Sequence, residues 1–176
     1  DAIPAEAVES FAGVGHHLGL ADVQTGERVV DLGSGSGMDA FMAARRVGLT
    51  GEVLGIDMTD AQLAKARWLA ERDRFGNVRF ERGYIENAPV PDGWADLVIS
   101  NGVINLCNDK AAVFAEIARM LKPGGRLAIS DIVTEHQLTD AIVCDVNLWA
   151  SCIGGAMQQD DYRAAIEAAG LEVRVV

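Results

Sequence analysis

The chain has 176 residues, enough for one domain with a buried core. Its formal net charge of −11, from 15 Lys and Arg against 26 Asp and Glu, disfavours a nucleic-acid backbone or an anionic membrane surface as partner. No run of about 18 or more apolar residues is present, so no membrane-spanning helix is expected, and the acidic start DAIPAEAVES lacks the features of a secretory leader.

Residues 1–25 read as an N-terminal helical segment, helix-compatible from Pro4 and interrupted at Gly13 and Gly15. RVVDLG (28–33) is a short apolar run ending in Asp and Gly, the pattern of a buried parallel strand. MDAFMAARRVG carries helical spacing through Met38, Phe41, Met42 and Arg45 and stops at Gly48. The cycle then repeats, with a strand at 51–57 and a helix at 59–76 that turns Leu63, Ala66, Trp68 and Ala70 to the core. Strands follow at 77–83 and 94–102, then a helix at 110–125 stopped by LKPGG, then a strand at 126–133. Residues 136–157 read as mostly helical, 159–170 as a helix, and 171–176 as a strand.

Alternating strands and helices predict an α/β fold, a doubly wound and mainly parallel sheet, with the whole of 1–176 as a single domain. If 171–176 is the natural end, its strand is an exposed edge and a homodimer contact follows; if a C-terminal part is missing, a further strand covers it. Cys107, Cys144 and Cys152 are widely spaced with no CxxC, which suits free thiols in a reducing cytoplasm. No HExxH or spaced Cys/His set is present, so no metal is expected.

VVDLGSGSGMDA (29–40) runs from a strand through a glycine loop into a helix. In a doubly wound sheet this is the ligand end, and the free N–H groups of the helix suit a carboxylate or phosphate. Asp57 ends the second strand 20 residues after Gly37, where a carboxylate can take both hydroxyls of a ribose. The loop decides which cofactor carries that ribose. The third glycine of GxGxxG is replaced by Met38, and Asp31 would repel a pyrophosphate but attract an ammonium. Both points favour S-adenosylmethionine over a nicotinamide dinucleotide.

The stretches GERVVDLGSGSGMDAF, GEVLGIDMTDAQLAKA, SNGVINL, LKPGG and CIGGAM resemble class I S-adenosylmethionine-dependent methyltransferases, and more narrowly the arsenite methyltransferases. The resemblance runs from about Gly13 to Gly170. It implies that Asp31, Gly33, Ser34, Gly35 and Gly37 hold the methionine end of the cofactor. It implies that Asp57 takes the ribose, with Met58 against the adenine and Ile85 and Glu86 at its edge. Asn101 and Val103 would line the sulfonium region, continued by Asn105 and Leu106, and Gln62 would also reach the cofactor.

The family's metalloid-binding cysteines are only partly kept. Ala40 and Val14 stand at two of their positions, Cys152 in CIGGAM fills a third, and a fourth lies beyond the last residue of this sequence. Thiolates are the ligands a soft centre prefers, so Cys152 is the candidate acceptor ligand. Cys107, after SNGVINL, is the better second thiol, because Cys144 would lie about 12 Å from Cys152 on a common helix. The substrate expected is therefore As(III) or another soft acceptor. One alternative is a small organic acceptor, quinone-type or other, with His16 or His17 as general base; His136 is a weaker choice for that role. The other is a non-catalytic module that binds S-adenosylmethionine.

Overall fold

The computed structural model describes residues 3–143 and 153–174. Five strands, β1 (Arg28–Leu32), β2 (Glu52–Asp57), β3 (Val78–Arg82), β4 (Ala95–Asn101) and β5 (Leu121–Ser130), form a parallel sheet ordered β3-β2-β1-β4-β5. Helix α1 (Ala5–Glu9) and a short 3-10 turn (His17–Gly19) precede the sheet. Helices α2 (Met38–Val47), α3 (Asp60–Arg72) and α4 (Lys110–Met120) connect its strands, and α5 (Asp140–Val143) and α6 (Gln159–Ala168) follow. The chain winds outward from β1 to β3 and then returns to place β4 on the other side of β1. Strand order therefore reverses between β1 and β4, and the crevice at their carboxyl ends is where such sheets bind ligands.

The fold is doubly wound because both faces of β1 are apolar. Val29 turns to a cluster with Phe41, Val47, Leu63, Leu69 and Phe80, on the side of α2 and α3. Val30 and Leu32 turn to Phe114, Ile117, Met120 and Tyr162, on the side of α4 and α6. Alternation along the strand sends neighbours to opposite layers. Phe41 anchors the first layer, with ring centroids 4.7 Å from Phe75 and 5.5 Å from Phe80.

Several expected boundaries move. The fourth helix stops at Met120 rather than 125, because Leu121 is already extended (φ −72°, ψ 138°). Pro123 disfavours the α conformation at the residue before it, so a helix cannot run through Lys122. Leu121 pairs with Ala95 and Arg126 with Leu97, which leaves 122–125 as a bulge inside a longer β5. The third helix ends at Arg72, and Arg74 beyond it takes a positive φ of 58°. Trp68, expected in the core, is 52% exposed, and the Arg72 guanidinium stacks 4.7 Å from its ring centroid. Leu63, Ala66 and Leu69 form the buried face instead.

Among the described residues of the N-terminal segment only Ala5–Glu9 is α-helical. Of the strand expected over 171–176, residues 171–174 show no strand, and the remaining two lie outside the described residues. β6 (Val133–Thr134) and β7 (Met157–Gln158) pair as a two-residue parallel ladder that brackets the run 136–157 expected to be mostly helical, and within that run Asp140–Val143 is helical. Cys144 and Cys152 lie outside the described residues. Among the described residues no helix is long and apolar enough to cross a membrane.

Candidate active site

The loop between β1 and α2 is shaped by glycines at positive φ. Gly33 (φ 74°) lies against Val103, and a Cβ built on it would come within 2.6 Å of that side chain. Gly35 (φ 52°) faces open space, with nothing within 4 Å of where its Cβ would be. The loop therefore leaves room exactly where a ligand can meet backbone. Asp57 binds the same loop: its Oδ2 accepts from Gly35 N at 2.9 Å, and its Oδ1 from Thr59 N at 2.8 Å. Ser36 Oγ donates to Gln62 Oε1 at 2.7 Å, so Gln62 stands beside the loop. Met58, next to Asp57, is 61% exposed and offers an apolar surface at the carboxyl end of β2.

Asp31 near the end of β1 is 2% exposed, and its Oδ2 has no hydrogen-bond partner. Burial first, and then the nearby carboxylate of Asp39, push its carboxyl well above the usual range; the Ala40 backbone N–H opposes them. Ser34 Oγ is likewise buried without a partner. Buried polar atoms are almost always satisfied, so two orphans at one ligand crevice mark a place for a polar ligand. A cation beside Asp31 would relieve the cost of its charge.

Asn101 does not present a free side chain to this crevice. Its Oδ1 accepts from Val14 N (2.8 Å) and Gly15 N (3.2 Å). Its Nδ2 donates to Gly15 O (2.9 Å) and Asp39 Oδ2 (3.0 Å). All four capacities of the amide are used, and residues 13–15 become a strap across the end of β4. His16 on this strap is exposed. His17 is 1% exposed, and neither ring nitrogen has a hydrogen-bond partner, Asp39 Oδ2 lying 3.9 Å from Nε2. Burial lowers its pKa against the pull of Asp39, which keeps the ring neutral. His136 is exposed beyond β5.

A second polar group lies on the β4–β5 side of the crevice. Ile85 is buried in the apolar layer with Val103 and Cys107 packed against it. The half-buried Cys107 thiol donates to Glu86; burial and that carboxylate push its pKa up to about 12. Lys110 Nζ donates to Cys107 O at 3.1 Å, and burial lowers the Lys110 pKa. Asp131, just after β5, accepts from Asn105 N (3.1 Å) and Tyr162 O–H (3.2 Å), and burial raises its pKa. Asp39, Lys110, Asp131 and Tyr162 were not anticipated from sequence. Asp131 had a usable signal, since it follows a strand at the ligand end of the sheet. Among the described residues no cluster of His, Cys, Asp and Glu is arranged to hold a metal ion.

A surface cavity of about 770 Å³ beside the start of β3, lined by Arg45, Arg74 and Asn77, contains none of these residues. The crevice between β1 and β4 is thus set apart by its donor set and not by its size. Open backbone at Gly35, an orphan carboxylate at Asp31 and a second carboxylate at Asp57 suit a ligand with a ribose and a cationic amino-acid end.

Comparison with known proteins agrees with this chemistry. The family described as a methyltransferase domain matches residues 24–170, and the chain belongs to that family. Within it, the chain is a class I S-adenosylmethionine methyltransferase domain resembling the arsenite methyltransferases, and S-adenosylmethionine is its cofactor. It is 40% identical over 168 residues to an arsenite methyltransferase of Halobacterium salinarum, covering 96% of this chain and 43% of that protein. It is 46% identical over 144 residues to one from Aquipseudomonas alcaligenes, covering 78% of this chain and 42% of that protein. The crystal structure of CrArsM, an arsenic(III) S-adenosylmethionine methyltransferase from Chlamydomonas reinhardtii, superposes with a TM-score of 0.85 at 39% identity. That match covers 96% of this chain and 58% of the other. The chain therefore spans less than half the length of these two curated relatives.

Proposed function

We propose that this chain transfers the methyl group of S-adenosylmethionine to As(III) or another soft acceptor. The observation that carries the reading is the crevice between β1 and β4, where orphaned Asp31 Oδ2, the open backbone at Gly35 and Asp57 meet in a chain 40% identical to an arsenite methyltransferase. The cofactor supplies an electrophilic methyl carbon. Asp57 holds the ribose, Asp31 neutralises the ammonium, and the glycine loop gives backbone contact to the amino-acid end. Methyl transfer needs the acceptor atom in line behind that carbon at van der Waals contact. Trivalent arsenic brings its own lone pair, so the protein needs no general base and has only to hold the atom and exclude water.

Cys152 is the soft ligand of this reading, with Cys107 as its partner. A reducing cytoplasm would keep such thiols available. Methyl transfer from labelled S-adenosylmethionine to arsenite, with glutathione present, tests the proposal. Methylated arsenic from the wild type and none from Cys152→Ser would support it. Intact cofactor binding with no methylated arsenic from either protein would move the acceptor elsewhere.

A small organic acceptor is the second reading. It is favoured by Ala40 and Val14 at the family's cysteine positions and by the raised pKa of Cys107, which leaves that thiol protonated near neutral pH. The exposed His16 is then the general base to test first.

A further inference from the structure

The buried histidine of the strap has no role in the account so far. Both ring nitrogens of His17 are sealed and unpartnered, although a neutral imidazole carries one N–H donor and one acceptor. Leaving such a donor unpaired in a protein interior is costly, and native structures rarely do so without a reason. Another orphan of this region, Asp31 Oδ2, is an acceptor. Asp39 connects the two: it stands 3.9 Å from His17 Nε2 and is the charge acting most strongly on Asp31. A donor without an acceptor and an acceptor without a donor thus flank one carboxylate.

The charges around the two orphans differ in one respect. Asp31 feels Asp39 and Asp57, so its side of the crevice attracts a cation. At His17 the strongest charge is again Asp39, but the positive Arg46 also acts there more weakly, and Arg46 Nη1 donates to the neighbouring Leu18 carbonyl. A lone anion would be repelled by the carboxylates. A zwitterion is not, provided that its ammonium lies towards Asp31 and its carboxylate towards His17 and Arg46.

We propose that His17 is a cofactor-binding residue that donates its ring N–H to the carboxylate of the cofactor's amino-acid end, opposite the ammonium held by Asp31. The inference rests on the cofactor being S-adenosylmethionine and assigns His17 no part in proton transfer. It also explains the construction of the strap. Asn101 fastens Val14 and Gly15 with hydrogen bonds of 2.8 to 3.2 Å, and this sets the position of His17 two residues on. Gly15 is needed for that approach, since a Cβ on it would lie 2.6 Å from Ser130 Oγ. Because the His17 nitrogens are sealed, the proposal requires the strap to admit the amino-acid end when the cofactor binds.

The test compares two ligands on the same proteins by calorimetry: S-adenosylmethionine and its decarboxylated analogue, which keeps the amine, ribose and adenine. Wild type should prefer S-adenosylmethionine. His17→Leu should weaken it by roughly ten- to a hundredfold, the value of a hydrogen bond to a charged group, and leave the decarboxylated analogue unchanged. His17→Gln, which keeps an N–H donor, should retain most of the preference. Equal losses for both ligands, with folding intact by circular dichroism, would mean that His17 only packs the strap and would overturn the proposal. So would an unchanged preference in His17→Leu. Should His17→Leu fail to fold, His17→Gln decides: a preference retained supports the proposal, and one that vanishes overturns it. Failure of wild type to bind S-adenosylmethionine at all would overturn the cofactor assignment itself.

Discussion

Gly33→Ala is the perturbation whose cost can be worked most fully from the structure. Gly33 has φ 74°, and an added Cβ would meet Val103 Cγ2 at 2.6 Å and its Cβ and Cγ1 at 2.7 Å. The left-handed conformation costs an L-residue roughly 1–2 kcal/mol. Forcing a methyl into a packed contact costs roughly 1–3 kcal/mol more. Together these give a destabilisation of about 2–5 kcal/mol, a large share of the 5–15 kcal/mol typical of a domain. Val103→Gly on the same background removes all three atoms in the way, the Cβ and both methyl groups. The double variant should therefore recover the steric part, about 1–3 kcal/mol, and keep the conformational part. Urea unfolding of wild type, both single variants and the double variant measures that coupling directly. A Gly33→Ala variant within about 0.5 kcal/mol of wild type, the range of ordinary surface substitutions, would refute the reasoning. A full loss with no recovery in the double variant would refute the Val103 contact specifically.

Other outcomes follow from the same geometry. Asp57→Ala should weaken S-adenosylmethionine by roughly ten- to a hundredfold, read by calorimetry, because a charged hydrogen-bond acceptor is lost from the ribose position. For Asp31 the sign is that of a carboxyl with a raised folded-state pKa: its contribution to stability is complete below the usual carboxylate range and is lost as pH rises through the raised value. Asp31→Asn should therefore reduce the fall in unfolding free energy of the ligand-free protein between about pH 4 and pH 8; an unchanged slope would contradict it. Cys107, with its pKa pushed up to about 12 by burial and by Glu86, should react with iodoacetamide at pH 8 roughly tenfold or more slowly than an unperturbed thiol. Glu86→Gln should speed that reaction, as measured by mass spectrometry of the Cys107 peptide. Phe41→Ala should cost about 3–5 kcal/mol in urea unfolding, since it empties the centre of the Phe41, Phe75 and Phe80 cluster.

What the sequence disclosed was local, and what it hid was tertiary. Apolar runs such as 29–32 and 97–99 marked buried strands, and the glycines after the first placed the ligand loop, because both signals lie within a few consecutive residues. Asp57 was legible for the same reason: its place is set by the end of its own strand. The boundary at LKPGG was misplaced because it reads as a helix stop, and it is only the pairing of Leu121 with Ala95 that turns it into a strand with a bulge. Trp68 was assigned to the core on spacing, yet a neighbouring arginine makes exposure tolerable for it. Asn101 was expected at the cofactor, and its amide is instead committed to a strap 86 residues away in sequence. His17 could not be told from His16 by sequence, since only the docking of the strap buries one and exposes the other. Asp131 and Tyr162, 31 residues apart, meet only because α6 packs on the β4–β5 side.

The most direct test of the account is a calorimetric titration of the wild-type chain and Asp57→Ala with S-adenosylmethionine and, in parallel, with NAD. The account predicts that S-adenosylmethionine saturates one site per wild-type chain, that Asp57→Ala loses most of this affinity, and that NAD gives no heat of binding. Saturable binding of NAD, or S-adenosylmethionine affinity indifferent to Asp57, would contradict the assignment of the crevice between β1 and β4.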